Sequence, residues 1–414
     1  MKDLIKKYGN HKVVLIVDQA MFSGVNFLLT LVIARLFSPA LFGMYAALLI
    51  ALYFVLNFLT AFIIQPLQVI ISKEENQENY VLFNFSLLLV IVGVIGAIAF
   101  FSFIVLHLEF IEQSYLVPTL LFFSLFLVHD FFRKVLLARA NIHKAFVIDL
   151  LYVVTLAVFI AYAYVMQIAF EQFLFMIGLS YLPAIVYGLS LLTVSQLKIS
   201  LWTKYFRQHV KHGRYLVLSA AVQWWSSNLF VVSSGIFLGV EALGAFRLVQ
   251  SLFGILNIFL QTLENYFLPN VTRIYAVSAE QATKYLNQLS LKSIAVFSII
   301  LSILFIWASP ILEFSVGSAY LPYAYVVKGM VILYAVIIAA YPVRMAIRML
   351  LLNRDYLFGY VLSLLFSLLS FNYLLSHYQL AGALLGLIGS QVILLTFWYF
   401  RLSKNNFQLW KSFI

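Results

Sequence analysis

Long apolar runs alternate with short polar gaps along the whole chain. A helix needs about 20 residues to cross the hydrocarbon of a bilayer. Twelve runs meet that requirement, at 13–36, 43–70, 81–106, 115–137, 145–167, 173–195, 213–235, 241–269, 287–308, 322–348, 356–376 and 380–401. The longest gap, Gln196 to His212, is too short for a soluble domain. The pattern predicts an all-α polytopic membrane protein with twelve transmembrane helices. The first run lacks a small-residue cleavage site, so it reads as a retained span and not as a signal peptide.

Polar residues inside the runs are ordered too. In the eighth run Arg247, Gln250, Gly254, Asn257, Gln261 and Glu264 recur every three or four residues. At 100° per residue they share an arc of about 100°. Unpaired polar groups are costly in hydrocarbon, so such a stripe should face a water-filled cavity or partner helices. The first run has a matching stripe of Gln19, Ser23, Asn26 and Thr30, and the seventh has Ser219, Gln223, Ser226 and Ser233. A looser stripe in the second runs through Tyr53, Asn57 and Thr60. Their occurrence in equivalent runs of two halves points to a polar-lined central cavity.

The halves are suggested by a short repeat. Leu36 to Tyr45 and Phe237 to Phe246 have the same shape, with Gly43 matching Gly244 and Tyr45 matching Phe246. Each lies between the first and second spans of six. The expectation is two pseudo-symmetric six-helix bundles, 1–200 and 201–414, in parallel topology, as in two-half transporters.

Charge then orients the chain. Of 26 Lys and Arg residues, 23 lie at the ends or in every second gap. They include Lys2, Lys6, Lys7 and Lys12, the cluster Lys198, Lys204, Arg207, Lys211 and Arg214, and Arg401, Lys404 and Lys411. Arg133, Lys134, Arg139, Lys144, Arg344, Arg348 and Arg354 are counted the same way. The alternate gaps hold Glu109, Glu112, Glu171, Glu241 and Glu313. Basic residues collect on the cytoplasmic side, so both termini are expected there. The same bias accounts for a net charge of +11 without nucleic acid as a partner.

Three cations break the bias: Arg35, Arg247 and Lys328. Arg247 heads the eighth-run stripe and Lys328 lies at similar depth in the tenth run, so both could attract an anion in low dielectric. Snorkelling, or pairing with Glu241 or Glu313, is the alternative. Arg35 lies off its helix's stripe near the end, where snorkelling fits better. Three acids sit near span ends. Asp130 is placed for a helical ion pair with Arg133 three residues on. Asp18, beside the first stripe, could carry a proton or sodium ion or close a gate, and Asp149 is the third. Glu264, near the inner end of its stripe, is the other candidate for coupling or gating. Trp224 and Trp225 could stack on sugar rings or pack in the interfacial belt.

Composition narrows the chemistry. The chain is 64% hydrophobic and 10% charged, and it has no cysteine, which excludes disulfides, thiol catalysis and thiolate metal sites. There is no P-loop. The seven histidines form no ligand-spaced cluster; His209 and His212 fall in a basic gap. No metal or other cofactor is expected.

The stretch Arg35-Leu36-Phe37-Ser38-Pro39-Ala40-Leu41-Phe42-Gly43-Met44-Tyr45 resembles the Arg-Leu-x-x-Pro-x-x-x-Gly-x-Tyr signature of Wzx-like polysaccharide (O-antigen) flippases. These belong to the multidrug/oligosaccharidyl-lipid/polysaccharide superfamily. The region of Arg133, Arg139 and Lys144 and the stretch Gly213 to Ala276 are similar too. The resemblance implies two six-helix bundles and a non-enzymatic transporter in the bacterial inner membrane. Its cargo would be undecaprenyl-pyrophosphate-linked oligosaccharide for O-antigen, capsule or exopolysaccharide assembly. Alternating access would be coupled to a proton or sodium gradient, and a polysaccharide polymerase is a partner to expect. Arg247, Lys328 and Arg35 would be the cations near substrate. Gln250, Asn257, Gln261, Gln19, Asn26 and Gln223 would meet sugar hydroxyls. A drug/cation antiporter of the same superfamily is one alternative. A membrane-embedded polymerase or ligase is another, although the outer loop around Ser309 to Leu321 has one acid and no Lys, Arg or His. A non-transporting scaffold would not need matched stripes.

Overall fold

A computed structural model describes residues 2–105, 112–193 and 198–410. Glu109, Gln196 and Lys411 lie outside them. The described residues are helical with no strand. The helices are α1 (Lys2–Leu36), α2 (Pro39–Leu59), α3 (Gln65–Ile70), α4 (Gln77–Val105), α5 (Gln113–Ala138), α6 (Ile142–Met166), α7 (Phe170–Leu179) and α8 (Leu182–Ser190). They continue as α9 (Ile199–Leu238), α10 (Val240–Val277), α11 (Ala279–Ile306), α12 (Ala308–Val316), α13 (Ala324–Met349) and α14 (Asn353–Lys404). Eleven segments of the described residues are long and apolar enough to cross a membrane. The last of these, α14, holds 52 residues with a non-helical break at Gln379, so it contains the two final spans. That gives twelve, as the apolar runs predict. Large apolar side chains such as Val94, Ile98, Val158 and Ile299 are exposed, as expected of a surface solvated by lipid.

The structure revises several spans. The sixth is two short helices broken at Ser180 and Tyr181. Pro183 follows the break and lacks the amide hydrogen that a continuous helix would use. The second span carries a π-helical turn, Thr60–Ile64, before Pro66. The gap read as ending at His212 is helical from Ile199 onward and continuous with the seventh span. The loop around Ser309 to Leu321, expected on the outer side, contains α12 and a 3-10 turn, Ser318–Tyr323.

The Pro66 turn has a local consequence. Pro66 has no N–H to give the Phe62 carbonyl four residues back. That oxygen lies 3.0 Å from His209 Nδ1. A carbonyl only accepts, so Nδ1 carries the hydrogen and Nε2 accepts from the Tyr80 hydroxyl at 2.7 Å. His209 is thus a fully buried bridge between the second span and α4, not a residue of a solvated loop.

The chain forms two compact units, Met1–Val32 with Ala51–Ala220, and Ile33–Ile50 with Ala221–Ile414. The boundaries differ from a single cut at residue 200 in two places. Residues 33–50 go with the later part of the chain, and 201–220 with the earlier. The first exchange has a local cause in the second unit. Gly43 and Gly244, which the sequence repeat equates, meet in space: a Cβ on Gly244 would lie 2.8 Å from Gly43 Cα. Only hydrogen at both positions permits this backbone contact. The second unit also includes a C-terminal hook. Phe407 and Leu409 are buried, and Trp410 stacks on Tyr399 while its indole donates to Ser290 Oγ at 3.2 Å.

Candidate functional site

The first unit holds a buried charge cluster built on α1, α5 and α6. Helical spacing puts His129 and Arg133 on one face of α5, Asp149 and Tyr152 on one face of α6, and Asp18 with Gln19 and Phe22 on α1. The hub is Arg133. Its Nε donates to Asp149 Oδ2 at 2.5 Å. Its Nη2 donates to Asp18 Oδ2 at 3.1 Å and to Gln19 Oε1 at 3.2 Å. The guanidinium carbon lies 4.6 Å from the Phe22 ring centroid. Arg133 is 7% exposed, and Asp18, Asp149 and His129 are 0% exposed.

Aromatic rings seal the cluster. Phe22 stacks on His129, and Tyr152 stacks on Tyr181, with centroids 4.4 Å apart and planes at 6°. Tyr181 reaches this position because the sixth span breaks at it. The Tyr152 hydroxyl donates to Asn26 Oδ1 at 3.1 Å, tying the first-run stripe to α6.

Charge counting gives the cluster its chemistry. Two carboxylates face one guanidinium, so with neutral His129 the group is short of one positive charge. Asp18 Oδ1, Asp149 Oδ1 and both His129 ring nitrogens lack hydrogen-bond partners among the described residues. His129 Nε2 lies 3.4 Å from Asp149 Oδ1. Removing ions from water costs several kcal/mol each unless they are paired, which favours taking up one proton or monovalent cation here. No group of three or more acidic, His or Cys residues among those described is arranged to hold a metal ion.

This geometry corrects two sequence readings. Asp130 pairs with Lys134 at 2.8 Å across one helical turn, not with Arg133. Lys134 also donates to Thr60 Oγ1 at the π-helical turn. Arg133, counted among the loop cations, is a buried helix residue. A signal existed in sequence: His129, Asp130, Arg133 and Lys134 stand together within a 26-residue apolar helix, where charge is costly. Which acids Arg133 would reach could not be read, because they lie 115 and 16 residues away.

In the second unit the polar stripe of α10 is present with varied partners. Arg247 Nη1 donates to Gln250 Oε1 at 3.0 Å. Asn257 Nδ2 donates to the Tyr334 hydroxyl at 2.7 Å. Gln261 is exposed. Glu264 is 4% exposed, forms an ion pair with Arg348 and lies 3.8 Å from Arg344 Nε. On α9, Gln223 is half-buried and Ser226 donates to Ser363 at 2.9 Å. Trp224 and Trp225 meet edge to face at 5.1 Å.

The other two exceptional cations lie on other helices, Lys328 on α13 and Arg35 on α1. Lys328 is exposed, with its ammonium 5.5 Å from the Phe305 ring centroid. Arg35 donates to the Phe314 carbonyl at 2.5 Å. That carbonyl is in the last turn of α12, where helical oxygens lack partners, so Arg35 caps the helix end.

Comparison with known proteins agrees with this architecture. A family model described as "Polysaccharide biosynthesis protein" matches residues 32–325. No curated protein matches the sequence. Among solved structures, the lipid II flippase MurJ in an inward closed conformation aligns at TM-score 0.74 and 11% identity, covering 94% of this chain and 87% of that one. An inward-facing multidrug resistance MATE family transporter of the MOP superfamily aligns at TM-score 0.74 and 10% identity, covering 95% and 98%. A MOP superfamily transporter from Pyrococcus furiosus aligns at TM-score 0.60 and 14% identity, covering 96% of each chain. With twelve apolar spans, a MOP-type fold and a family match over most of its length, the chain belongs to the polysaccharide biosynthesis protein family.

Proposed function

We propose that this membrane protein is a flippase for undecaprenyl-pyrophosphate-linked oligosaccharide, working by alternating access in the bacterial inner membrane with both termini cytoplasmic. The observation that carries the reading is the α10 polar stripe, headed by Arg247, in a chain of a polysaccharide biosynthesis family. Arg247 and Lys328 attract the pyrophosphate, and Arg35 keeps the outer turn in place beside it. Gln250, Asn257, Gln261, Gln19, Asn26 and Gln223 exchange hydrogen bonds with sugar hydroxyls. Such contacts are individually weak, so the cargo can leave. Coupling fits the first unit, where Asp18 belongs to a cluster lacking one positive charge. Glu264, held by two arginines, suits a gate.

A drug/cation antiporter is the second reading. It is favoured by the same buried acidic excess and by the likeness to a MATE transporter. Proteoliposomes containing the full chain separate the two. A fluorescent polyprenyl-diphosphate oligosaccharide should cross the bilayer in a protein-dependent manner, and Arg247→Ala should slow it. Gradient-driven uptake of an organic cation with no movement of the lipid-linked sugar would replace the flippase reading with the antiporter.

A further inference from the structure

The amino-terminal third of α9 is amphipathic in a way the polar stripes do not explain. The helix has 40 residues, about 60 Å at 1.5 Å per residue, against about 30 Å of hydrocarbon. Its first turns therefore extend past the membrane core. One face of this extension is packed against the second and third spans of the same unit. Trp202 donates its indole hydrogen to Ser86 Oγ at 3.0 Å, Tyr205 donates to Glu74 Oε1 at 2.9 Å, and His209 bridges Tyr80 and Phe62. Buried aromatic packing and three interhelical hydrogen-bonding side chains hold the helix in one rotation.

The opposite face is cationic. Lys204, Arg207, Lys211 and Arg214 are all exposed and share an arc of about 80°. Among the described residues none of the four takes part in an ion pair. Around the start of α4, Glu74 accepts from Tyr205 and Glu78 pairs with Arg139 at 3.1 Å, while Glu75 is exposed and, among the described residues, forms no ion pair with any of the four. The same face turns apolar where the stripe ends. Tyr215 is 65% exposed and Leu218 is 59% exposed, both within about 20° of the cationic arc. Arg214 joins the two zones. Its guanidinium lies 4.7 Å from the Tyr215 ring centroid and Nη2 donates to the Tyr215 hydroxyl at 3.1 Å.

We propose that this face is a binding surface for acidic glycerophospholipid in the leaflet at the basic end of α9. Acyl chains lie along Tyr215 and Leu218, and the phosphate meets Arg214, Lys211 and Arg207. Charge complementarity and the apolar-to-cationic change along one face select this occupant. A soluble polyanion would gain nothing from Tyr215 and Leu218, and a neutral lipid would gain nothing from the cations. Because the surface is already fixed by the packed face, binding need not order the helix. The inference is independent of the cargo that the protein moves.

The test uses the full chain in nanodiscs of mixed phosphatidylcholine and phosphatidylglycerol, with lipids retained after detergent extraction counted by native mass spectrometry. Polybasic surfaces gain about 1 kcal/mol per cation, or about fivefold. The wild type should retain phosphatidylglycerol over phosphatidylcholine, and each of Arg207→Gln, Lys211→Gln and Arg214→Gln should lower that preference about fivefold. High salt should weaken it. All three sites are exposed, so the variants should keep the wild-type melting temperature in detergent. Arg273→Gln with Lys284→Gln, basic residues off the stripe, should leave the preference intact. Three results would each overturn the proposal: unchanged preference in the variant combining Arg207→Gln, Lys211→Gln and Arg214→Gln, an equal loss in the off-stripe control, or equal retention of phosphatidylcholine and phosphatidylglycerol by the wild type.

Discussion

The two units each bury a charge cluster, and they do so with opposite polarity. In the first, Arg133 is enclosed by Asp18 and Asp149, and acids outnumber bases two to one. In the second, the buried ion is Glu264, and its partners Arg344 and Arg348 have side chains 34% and 43% exposed. Here bases outnumber acids two to one. The contrast lies in how escape is allowed. A half-exposed arginine can reach water when its partner leaves, whereas neither Asp18 nor Asp149 can do so without moving a helix. The first cluster is therefore the one in which a change of charge would strain the packing around it.

That difference can be broken by substitution. Arg133→Ala should have the largest effect, because it leaves two buried carboxylates facing each other. A loss of about 3–5 kcal/mol is expected, read as a fall in melting temperature of the purified protein. Asp149→Asn added to Arg133→Ala should recover part of it; a double variant no better than the single would mean that the charges are not the cause. His209→Ala is next, at about 1–3 kcal/mol, since the Phe62 carbonyl loses its donor. Glu264→Gln should cost about 1–2 kcal/mol, because both arginines can turn to solvent. If Glu264→Gln proved more damaging than Arg133→Ala, the distinction between enclosed and escapable clusters would be wrong. Asp18→Asn should alter stability least, since the remaining pair is electrically balanced. It should nevertheless abolish the response of transport to an imposed ion gradient. Transport that stays gradient-dependent in Asp18→Asn would remove this cluster from coupling.

The turn between the first and second spans offers a comparison of a different kind. Gly43 and Gly244 are legible as equivalent from a short repeat, and the Cβ-less face of Gly244 proves to lie against the Gly43 backbone. Arg35, in the same stretch, stands against the charge bias because it caps α12, a helix absent from the sequence reading. A conspicuous charge thus marked a real interaction but not its partner.

The sequence by itself determined the number of spans, the helical class and the order of the polar stripes, because these follow from local hydrophobic periodicity. It also located Asp18, Arg247, Asn257 and Glu264 as polar residues inside long apolar helices. It missed Arg133 as a hub, since a cation near a span's end looks the same in sequence whether it meets water or two carboxylates. Only tertiary structure decided that Asp130 pairs with Lys134, that His209 caps a carbonyl freed by Pro66, and that the sixth span breaks to bring Tyr181 onto Tyr152. Two of these three rest on groups far apart in the chain, and the third, within one helix, turned on an acid from another helix. Packing brings Asp149 to Arg133 and leaves Asp130 to the next cation along the helix, a choice that hydrophobic periodicity does not encode.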